Sequence, residues 1–254
     1  MKISFVIPAY NEETQIAKCL ISVIKAIDKK FQDFEIIVVN NASIDNTAPI
    51  ARSFEHVKVV DEPVKGLSRA RQAGFLASTG DLIANIDADT LPTSEWINKV
   101  MTEFSKNPSL VALSGPYIYY DLSTTYNFFI RIFYYLGFIS YLFNRFIFRS
   151  SSMLQGGNYV VRREALEKIG GFDPKFTFYG EDTDTARKLH EVGDVKFTFD
   201  LPMNTSGRRI AEEGLLTMGM RYSINHFWTI FLKRPFSLSV VEHSQEPRSK
   251  NNLK

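Results

Sequence analysis

Residues 1 to about 113 alternate short β-branched runs with stretches of helical periodicity, and no other feature of the chain narrows its fold as far. Strands separated by helices cannot pair as hairpins; each helix must carry the chain back across the sheet, which yields parallel strands with helices on both faces. The strands are expected at Ile3–Ile7, Glu35–Val39, Val57–Val60, Leu82–Ile86 and Leu110–Ser114. Helices are expected from Asn11 to about Ile27, from about Asp45 to Phe54, from Ser68 to Ser78 and near Ser94–Ser105. Asn11 reads as the N-cap of the first, with Glu12 and Glu13 at its positive end. A chain of 254 residues, 44% hydrophobic, can bury one large α/β core.

The strand at Leu82–Ile86 runs into Asp87-Ala88-Asp89. Ligands bind open α/β sheets at the carboxyl ends of the strands, and two carboxylates held there repel unless a cation lies between them. Hard oxygen ligands at such an edge suit a divalent metal carrying a phosphorylated substrate, while the plain alternative is a solvated turn.

Thirty basic against 28 acidic residues leave a net charge of +2, too balanced for a nucleic-acid protein recognised by bulk charge. The single cysteine, Cys19, allows no intrachain disulfide and no zinc cluster, and shares an apolar helix stripe with Ile16, Leu20 and Val23. The first residues form a strand, without the succession of a signal peptide, so the catalytic body is expected in the cytosol.

From Tyr126 to Phe148 the texture turns aromatic and apolar. At helical spacing Asn127, Arg131, Tyr134, Tyr141, Arg145 and Arg149 share one narrow stripe. The 13 uncharged residues between Arg131 and Arg145 make about 20 Å of helix, short of a hydrocarbon core of about 30 Å. A helix lying in the membrane interface is expected over 126–149, its guanidinium groups at the head groups and its aromatic face in the acyl boundary; a lid or dimer helix is the alternative. Leu215–Leu232 reads as a second packed or interfacial helix. The expected organisation is a catalytic domain over 1–209, a C-terminal helical segment over 210–241 and a disordered tail over 242–254.

Seven segments in order carry a resemblance. They are Pro8-Ala9-Tyr10-Asn11-Glu12-Glu13, Asn40 to Thr47, Gly66 to Arg71, Asp87-Ala88-Asp89, Gly156-Gly157-Asn158, Gly170-Gly171-Phe172-Asp173 and Glu181-Asp182-Thr183-Asp184. Together, over roughly residues 1 to 200, the chain resembles the family 2 glycosyltransferases of GT-A fold. The resemblance implies a Rossmann-like, mostly parallel central sheet flanked by helices, with the 126–149 helix as an amphipathic insertion. It also implies a metal-dependent, inverting transferase that moves one sugar from a nucleotide diphosphate sugar, with UDP-sugars favoured, to a lipid-linked or glycan acceptor.

Residue by residue, the resemblance implies that Asp89 ligates Mg2+ or Mn2+ on the diphosphate and that Asp87 contacts the ribose or sugar. Pro8, Ala9, Tyr10, Asn11, Glu12, Asn40, Asn41, Gly66, Arg71 and Ala88 are the remaining candidates for binding the nucleotide donor. Asn40 and Asn41 stand where many relatives carry aspartate, which weakens any preference for uracil over guanine. Gly156, Gly157 and Asn158 fall on the sugar and acceptor side. An acceptor hydroxyl needs a base, for which Asp182 is the choice, Glu181 its neighbour and Asp184 the rival. Arg208 and Arg209 are candidates to close over the diphosphate. The Gln-x-x-Arg-Trp pattern of processive synthases is missing, as is the histidine ligand some relatives supply after the last strand. The expected protein is peripheral on the cytoplasmic face of a membrane, in glycolipid or polysaccharide biosynthesis. A polyprenyl-phosphate glycosyltransferase and a non-catalytic nucleotide-sugar-binding protein are the two alternatives.

Overall fold

A computed structural model describes residues 1–27, 33–143, 153–176, 180–215, 217–221 and 224. Arg145, Arg149, most of the helix expected at Leu215–Leu232 and the tail expected at 242–254 lie outside the described residues.

The chain opens with β1 (Ile3–Ala9), α1 (Ile16–Ala26), β2 (Phe34–Asn40), α2 (Thr47–Arg52), β3 (Val57–Asp61), α3 (Leu67–Ala77) and β4 (Leu82–Ile86). It continues through β5 (Thr90–Leu91), α4 (Ser94–Lys106), β6 (Leu110–Ser114), β7 (Tyr117–Tyr119) and the long α5 (Thr124–Phe143). It closes with β8 (Asn158–Arg162), α6 (Arg163–Lys168), α7 (Glu181–His190), β9 (Asp194–Phe197), β10 (Met203–Thr205) and α8 (Arg208–Glu213). A seven-stranded sheet has the order β3-β2-β1-β4-β8-β6-β9, and only β8 runs against the others. A small sheet, β5-β10-β7, sits beside it.

Both faces of the large sheet are covered, which is why its strands are continuous apolar runs. Helices α1, α2 and α4 bury Leu20, Val23, Ala51, Trp96 and Phe104 against one face. Helices α3, α6 and α7 bury Phe75, Leu166 and Leu189 against the other. The chain builds β1, β2 and β3 outward in one direction and then returns to lay β4 on the far side of β1. That reversal opens a crevice where the loops after β1 and β4 diverge, the ligand position of a doubly wound sheet.

Two expectations change. The first helix begins at Ile16, not Asn11, because Asn11 adopts a left-handed backbone (φ 52°) and its Oδ1 accepts from the Ile44 amide at 3.0 Å. The residues that read as a capped helix start instead bind the second loop: the Glu12 amide donates to Thr47 Oγ1 at 2.7 Å and the Glu13 amide to Asp45 Oδ2 at 3.1 Å.

The second change concerns α5, which is helical as expected but turned the other way. Asn127 donates to the Tyr119 carbonyl at 2.8 Å, Tyr134 to Gln155 Oε1 at 2.9 Å and Tyr141 to the Val195 carbonyl at 3.3 Å. Asn127, Tyr134 and Tyr141 of the polar stripe therefore face the protein, where Ile130, Tyr134 and Tyr141 pack with Phe197, Ile210 and Met218, while Arg131 is exposed. Phe128, Phe129, Phe133, Leu136 and Ile139 are exposed. Among the described residues no helix is long and apolar enough to cross a membrane.

Candidate active site

The crevice gathers three loops and the first turn of α7. Asp87 leaves the end of β4 half-buried, and both its oxygens meet protein groups: Tyr117 donates its hydroxyl to Oδ2 at 3.1 Å, and Arg71 Nη2 lies 3.5 Å from Oδ1. Gly157 closes the third side. Its φ of +74° suits glycine, and a Cβ there would stand 2.1 Å from Asp87 Cγ, so only a glycine lets β8 start at this point. The Tyr117 hydroxyl is also in hydrogen-bond contact with the Gly156 carbonyl, so its single proton lies between the two acceptors. Burial, with Asp87 and Asp89 adding to it, holds the Tyr117 phenol well above its ordinary pKa, so it remains a donor.

Asp89, two residues on, faces the other way. Arg208 Nη2 lies 3.2 Å from its Oδ2 and 2.6 and 2.5 Å from the two oxygens of Glu12, while Thr205 Oγ1 is 3.4 Å from Asp89 Oδ1. One guanidinium thus gathers a carboxylate from the loop after β1 and one from the loop after β4. Burial works against the Arg208 charge, but Glu12 and Asp89 together raise its pKa above the usual value. Arg209 turns away to Glu213 at 2.8 Å.

On the opposite side α7 presents its acidic first turn. Glu181 is 2% exposed and ion-paired to Arg71, itself 1% exposed, with the Tyr159 hydroxyl 3.5 Å from Glu181 Oε1. Burial pushes the Glu181 carboxyl up to about 7 against the opposing pull of Arg71. Asp184, the rival base, is 3% exposed and committed to Lys188 at 2.6 Å and Arg187 at 2.9 Å. Asp182 is the partly exposed member of the three. A Cβ on Gly156 would lie 3.5 Å from both Asp182 Oδ2 and Arg71 Nη2, so Gly156 stands beside both groups.

Several candidates lie elsewhere. Asn158 is fully buried; its Oδ1 accepts from Trp96 Nε1 at 2.8 Å and its amide donates to the Gly115, Pro116 and Leu201 carbonyls, which ties β8 to the small sheet. Asn41, 4% exposed, donates to the Val64 carbonyl at 2.8 Å and accepts from the Gly66 amide at 2.8 Å, shaping the loop before α3. Asn40 donates to Asp61 at 2.8 Å and accepts from the Ser43 amide at 3.2 Å. Pro8 and Ala9 belong to β1, and Ala88 is buried in the core. The Tyr10 ring lies under Lys65 Nζ at 3.7 Å from its centroid, at the mouth of the crevice. Tyr117 and Thr205 were not candidates. Tyr117 follows Gly115-Pro116 after a buried strand, a hint of a chain turned sharply at a sheet edge.

Among the described residues no three His, Cys, Asp or Glu side chains are placed to hold a metal. The donor set nevertheless suits one. Mg2+ and Mn2+ take carboxylate oxygens, and ions that bridge substrate phosphates are held by one or two carboxylates, with phosphate and water completing the shell. Glu12 and Asp89, already converging on one cation, meet that description.

Residues 4–170 match the family described as Glycosyl transferase family 2, and residues 143–202 match the N-terminal domain of galactosyltransferase. The chain belongs to glycosyltransferase family 2. A relative, the probable glycosyltransferase YdaM of Bacillus subtilis, is 29% identical over 204 residues, 76% of this chain and 47% of its own length. The chain spans about half of that relative. The family 2 fold is shared with a mannosyltransferase of Pyrobaculum calidifontis solved with GDP-Man and Mn2+, at a TM-score of 0.68 and 20% identity over 91% of this chain and 63% of that one. It is shared also with glucosyl-3-phosphoglycerate synthase of Mycobacterium tuberculosis, solved with Mn2+, UDP-Glc and phosphoglyceric acid, at a TM-score of 0.60 and 22% identity over 93% and 81%. The fold is that of a GT-A glycosyltransferase.

Proposed function

We propose that this glycosyltransferase moves one sugar from a nucleotide diphosphate sugar to a lipid-linked acceptor at a membrane surface, with inversion at the anomeric carbon. The carrying observation is that Asp182 and Asp87 flank two adjoining glycines, Asp182 beside Gly156 and Asp87 beside Gly157, while Asp89, two residues on, shares Arg208 with Glu12. The donor lies along the loops after β1 and β4, its sugar over Gly156 and Gly157. The acceptor oxygen attacks the anomeric carbon, its proton passes to Asp182, the bond to phosphate oxygen breaks, and the nucleoside diphosphate leaves. Asp89 with Glu12 would hold Mg2+ or Mn2+, which would supply positive charge against the departing diphosphate. Arg208, freed from those carboxylates, is placed to follow that charge.

UDP-sugars are the first donors to test, and GDP-sugars the second. UDP-Glc and GDP-Man are bound in the two solved proteins of the same fold, and the engaged amides of Asn40 and Asn41 give no ground for one base over the other.

The outward face of α5 supports the membrane reading. Phe128, Phe129, Phe133, Leu136 and Ile139 present an apolar strip of several turns to the outside, while Arg131 stays beside the Tyr135 ring at 5.9 Å. The protein is then peripheral, on the cytoplasmic face. A polyprenyl phosphate acceptor is favoured by the same strip, and it needs little help from a base.

A transfer assay over UDP- and GDP-sugars with lipid-linked acceptors tests the reading. Asp89→Ala abolishes turnover, and Asp182→Asn reduces it at least about 100-fold for a hydroxyl acceptor, the range for a lost general base. Activity retained in Asp182→Asn with a phosphate acceptor selects the polyprenyl-phosphate version. Nucleotide binding without transfer for every donor and acceptor refutes catalysis. Leu136→Glu with Phe129→Glu abolishes flotation with liposomes, and unchanged flotation refutes the membrane face.

A further inference from the structure

Arg71 is the largest fully buried side chain among the described residues, and it is a cation. Burying a charge costs more than an ion pair ordinarily returns, so a buried arginine is poor evidence of stabilisation and calls for another reason. Its Nε finds no partner among the described residues, so even its hydrogen bonds are incomplete. What the guanidinium does have is position. Nη1 meets Glu181 in the first turn of α7, Nη2 reaches Asp87 Oδ1 at 3.5 Å at the end of β4, and its Cζ lies 5.4 Å from the centre of the Tyr159 ring on β8. Asp182 Oδ2 and Arg71 Nη2 stand at equal distance, 3.5 Å, from the Cβ that Gly156 lacks.

We propose that Arg71 is a positioning residue that ties Asp87 on the donor side to the helix turn bearing Asp182 on the acceptor side, with Glu181 as its buried counter-charge. A planar fork can touch two carboxylates at fixed separation, which a lysine cannot. The elements it joins are far apart in sequence: α3 supplies the arginine, β4 the donor-side carboxylate and α7 the acceptor-side one. In-line displacement demands that the acceptor, the anomeric carbon and the leaving oxygen hold one line, and a misplacement of about 1 Å can cost about 100-fold in rate. The fork sets that distance. Glu181 transfers no proton, being sealed from substrate by Tyr159 and Arg71.

This inference rests on the transfer reaction proposed above, and its test separates the two. The full-length double variant Arg71→Met with Glu181→Met replaces a buried pair by apolar groups of similar volume, a change that folds tolerate. It is expected to melt cooperatively and to bind nucleoside diphosphate with Mn2+ within about three-fold of the parent by calorimetry, while kcat falls at least about 100-fold. The fraction of donor hydrolysed by water instead of transferred is expected to rise, because the acceptor side is no longer in register. A folded double variant with kcat within three-fold of the parent overturns the proposal, as does a loss carried wholly by nucleotide affinity, which makes Arg71 a donor contact. If the double variant does not fold, Arg71→Lys decides: kcat down at least ten-fold at unchanged KM supports the fork, and parental kcat overturns it. If the parent turns over no donor, it is the proposed reaction that fails, and hydrogen exchange still judges the tie. Nucleoside diphosphate with Mn2+ should slow exchange at residues 183–186 in the parent and not in Arg71→Lys, and equal slowing in both overturns it.

Discussion

Gly157→Ala should damage this protein more than an ordinary glycine substitution, and the excess can be worked out. The position has φ +74°, where an alanine costs about 1–2 kcal/mol, of which about 0.5–1 kcal/mol returns because the unfolded chain loses less entropy. Gly170, at φ +81°, carries the same backbone penalty, but a Cβ built there meets nothing within 4 Å. Gly170→Ala therefore measures the backbone cost alone, about 1 kcal/mol or less. At Gly157 the new methyl would stand 2.1 Å from Asp87 Cγ, 2.2 Å from its Oδ2 and 2.5 Å from the Tyr117 hydroxyl. Asp87 cannot step aside freely, being held by Tyr117 and Arg71, so the overlap is relieved only by moving β8 or breaking those contacts. Overpacking of this kind costs about 1–3 kcal/mol, bringing Gly157→Ala to about 1–4 kcal/mol.

Urea unfolding of parent and both variants measures this, with equal m-values confirming that only stability has changed. In a chain of this size the expected fall in Tm is roughly 2–16 °C for Gly157→Ala and under about 4 °C for Gly170→Ala. Calorimetry with nucleoside diphosphate and Mn2+ should show weakened binding only in Gly157→Ala, since only there is Asp87 displaced. If the two variants unfold within about 0.5 kcal/mol of each other and bind alike, Asp87 is not confined by Gly157 and the account of how this edge is built is wrong.

Three further outcomes follow from single side chains. Arg208→Gln should bind Mn2+ alone more tightly than the parent, because the guanidinium that Glu12 and Asp89 share no longer competes for them, while turnover with donor falls; titration calorimetry without nucleotide checks this, and unchanged or weaker Mn2+ binding counts against it. Glu35 accepts from Ser4 Oγ at 2.5 Å and from the Thr79 and Gly80 amides at 2.5 and 3.1 Å; partial burial opposes its charge, but these donors with Lys2 lower its pKa below 4.5. A lowered carboxylate stabilises fully above its unfolded pKa and ceases to as pH falls through the folded value, so Glu35→Gln should cost about 1–3 kcal/mol at pH 7, with the gap to the parent closing below about pH 4 in urea melts. Ala42 sits at φ 59° in the loop after β2, and Ala42→Gly should stabilise by about 0.5–1 kcal/mol, read as a higher urea midpoint.

The parallel core was legible because its strands are buried on both faces and read as unbroken apolar runs; β4 and β6 start and end where the residues predict. The start of α1 was not, since Asn11-Glu12-Glu13 satisfies every local rule for a capped helix and loses to partners more than thirty residues away, Ser43, Asp45 and Thr47. Helix α5 shows the same limit in another form. Periodicity assigns Asn127, Tyr134 and Tyr141 to one face but says nothing of which way the face points, and that is decided by acceptors at Tyr119, Gln155 and Val195, all outside the helix.

The acidic turn of α7 carries the point into the chemistry. Glu181 and Asp182 are neighbours in sequence, but consecutive helical residues project about 100° apart, so at most one can face the crevice. A general base must reach solvent or substrate to exchange its proton. Glu181, 2% exposed and locked to Arg71, cannot, and Asp184 is spent on Lys188 and Arg187. Asp182, partly exposed beside Gly156, is therefore the carboxylate to which the proposed reaction gives the role, and the proposal makes the buried glutamate next to it the anchor of that turn.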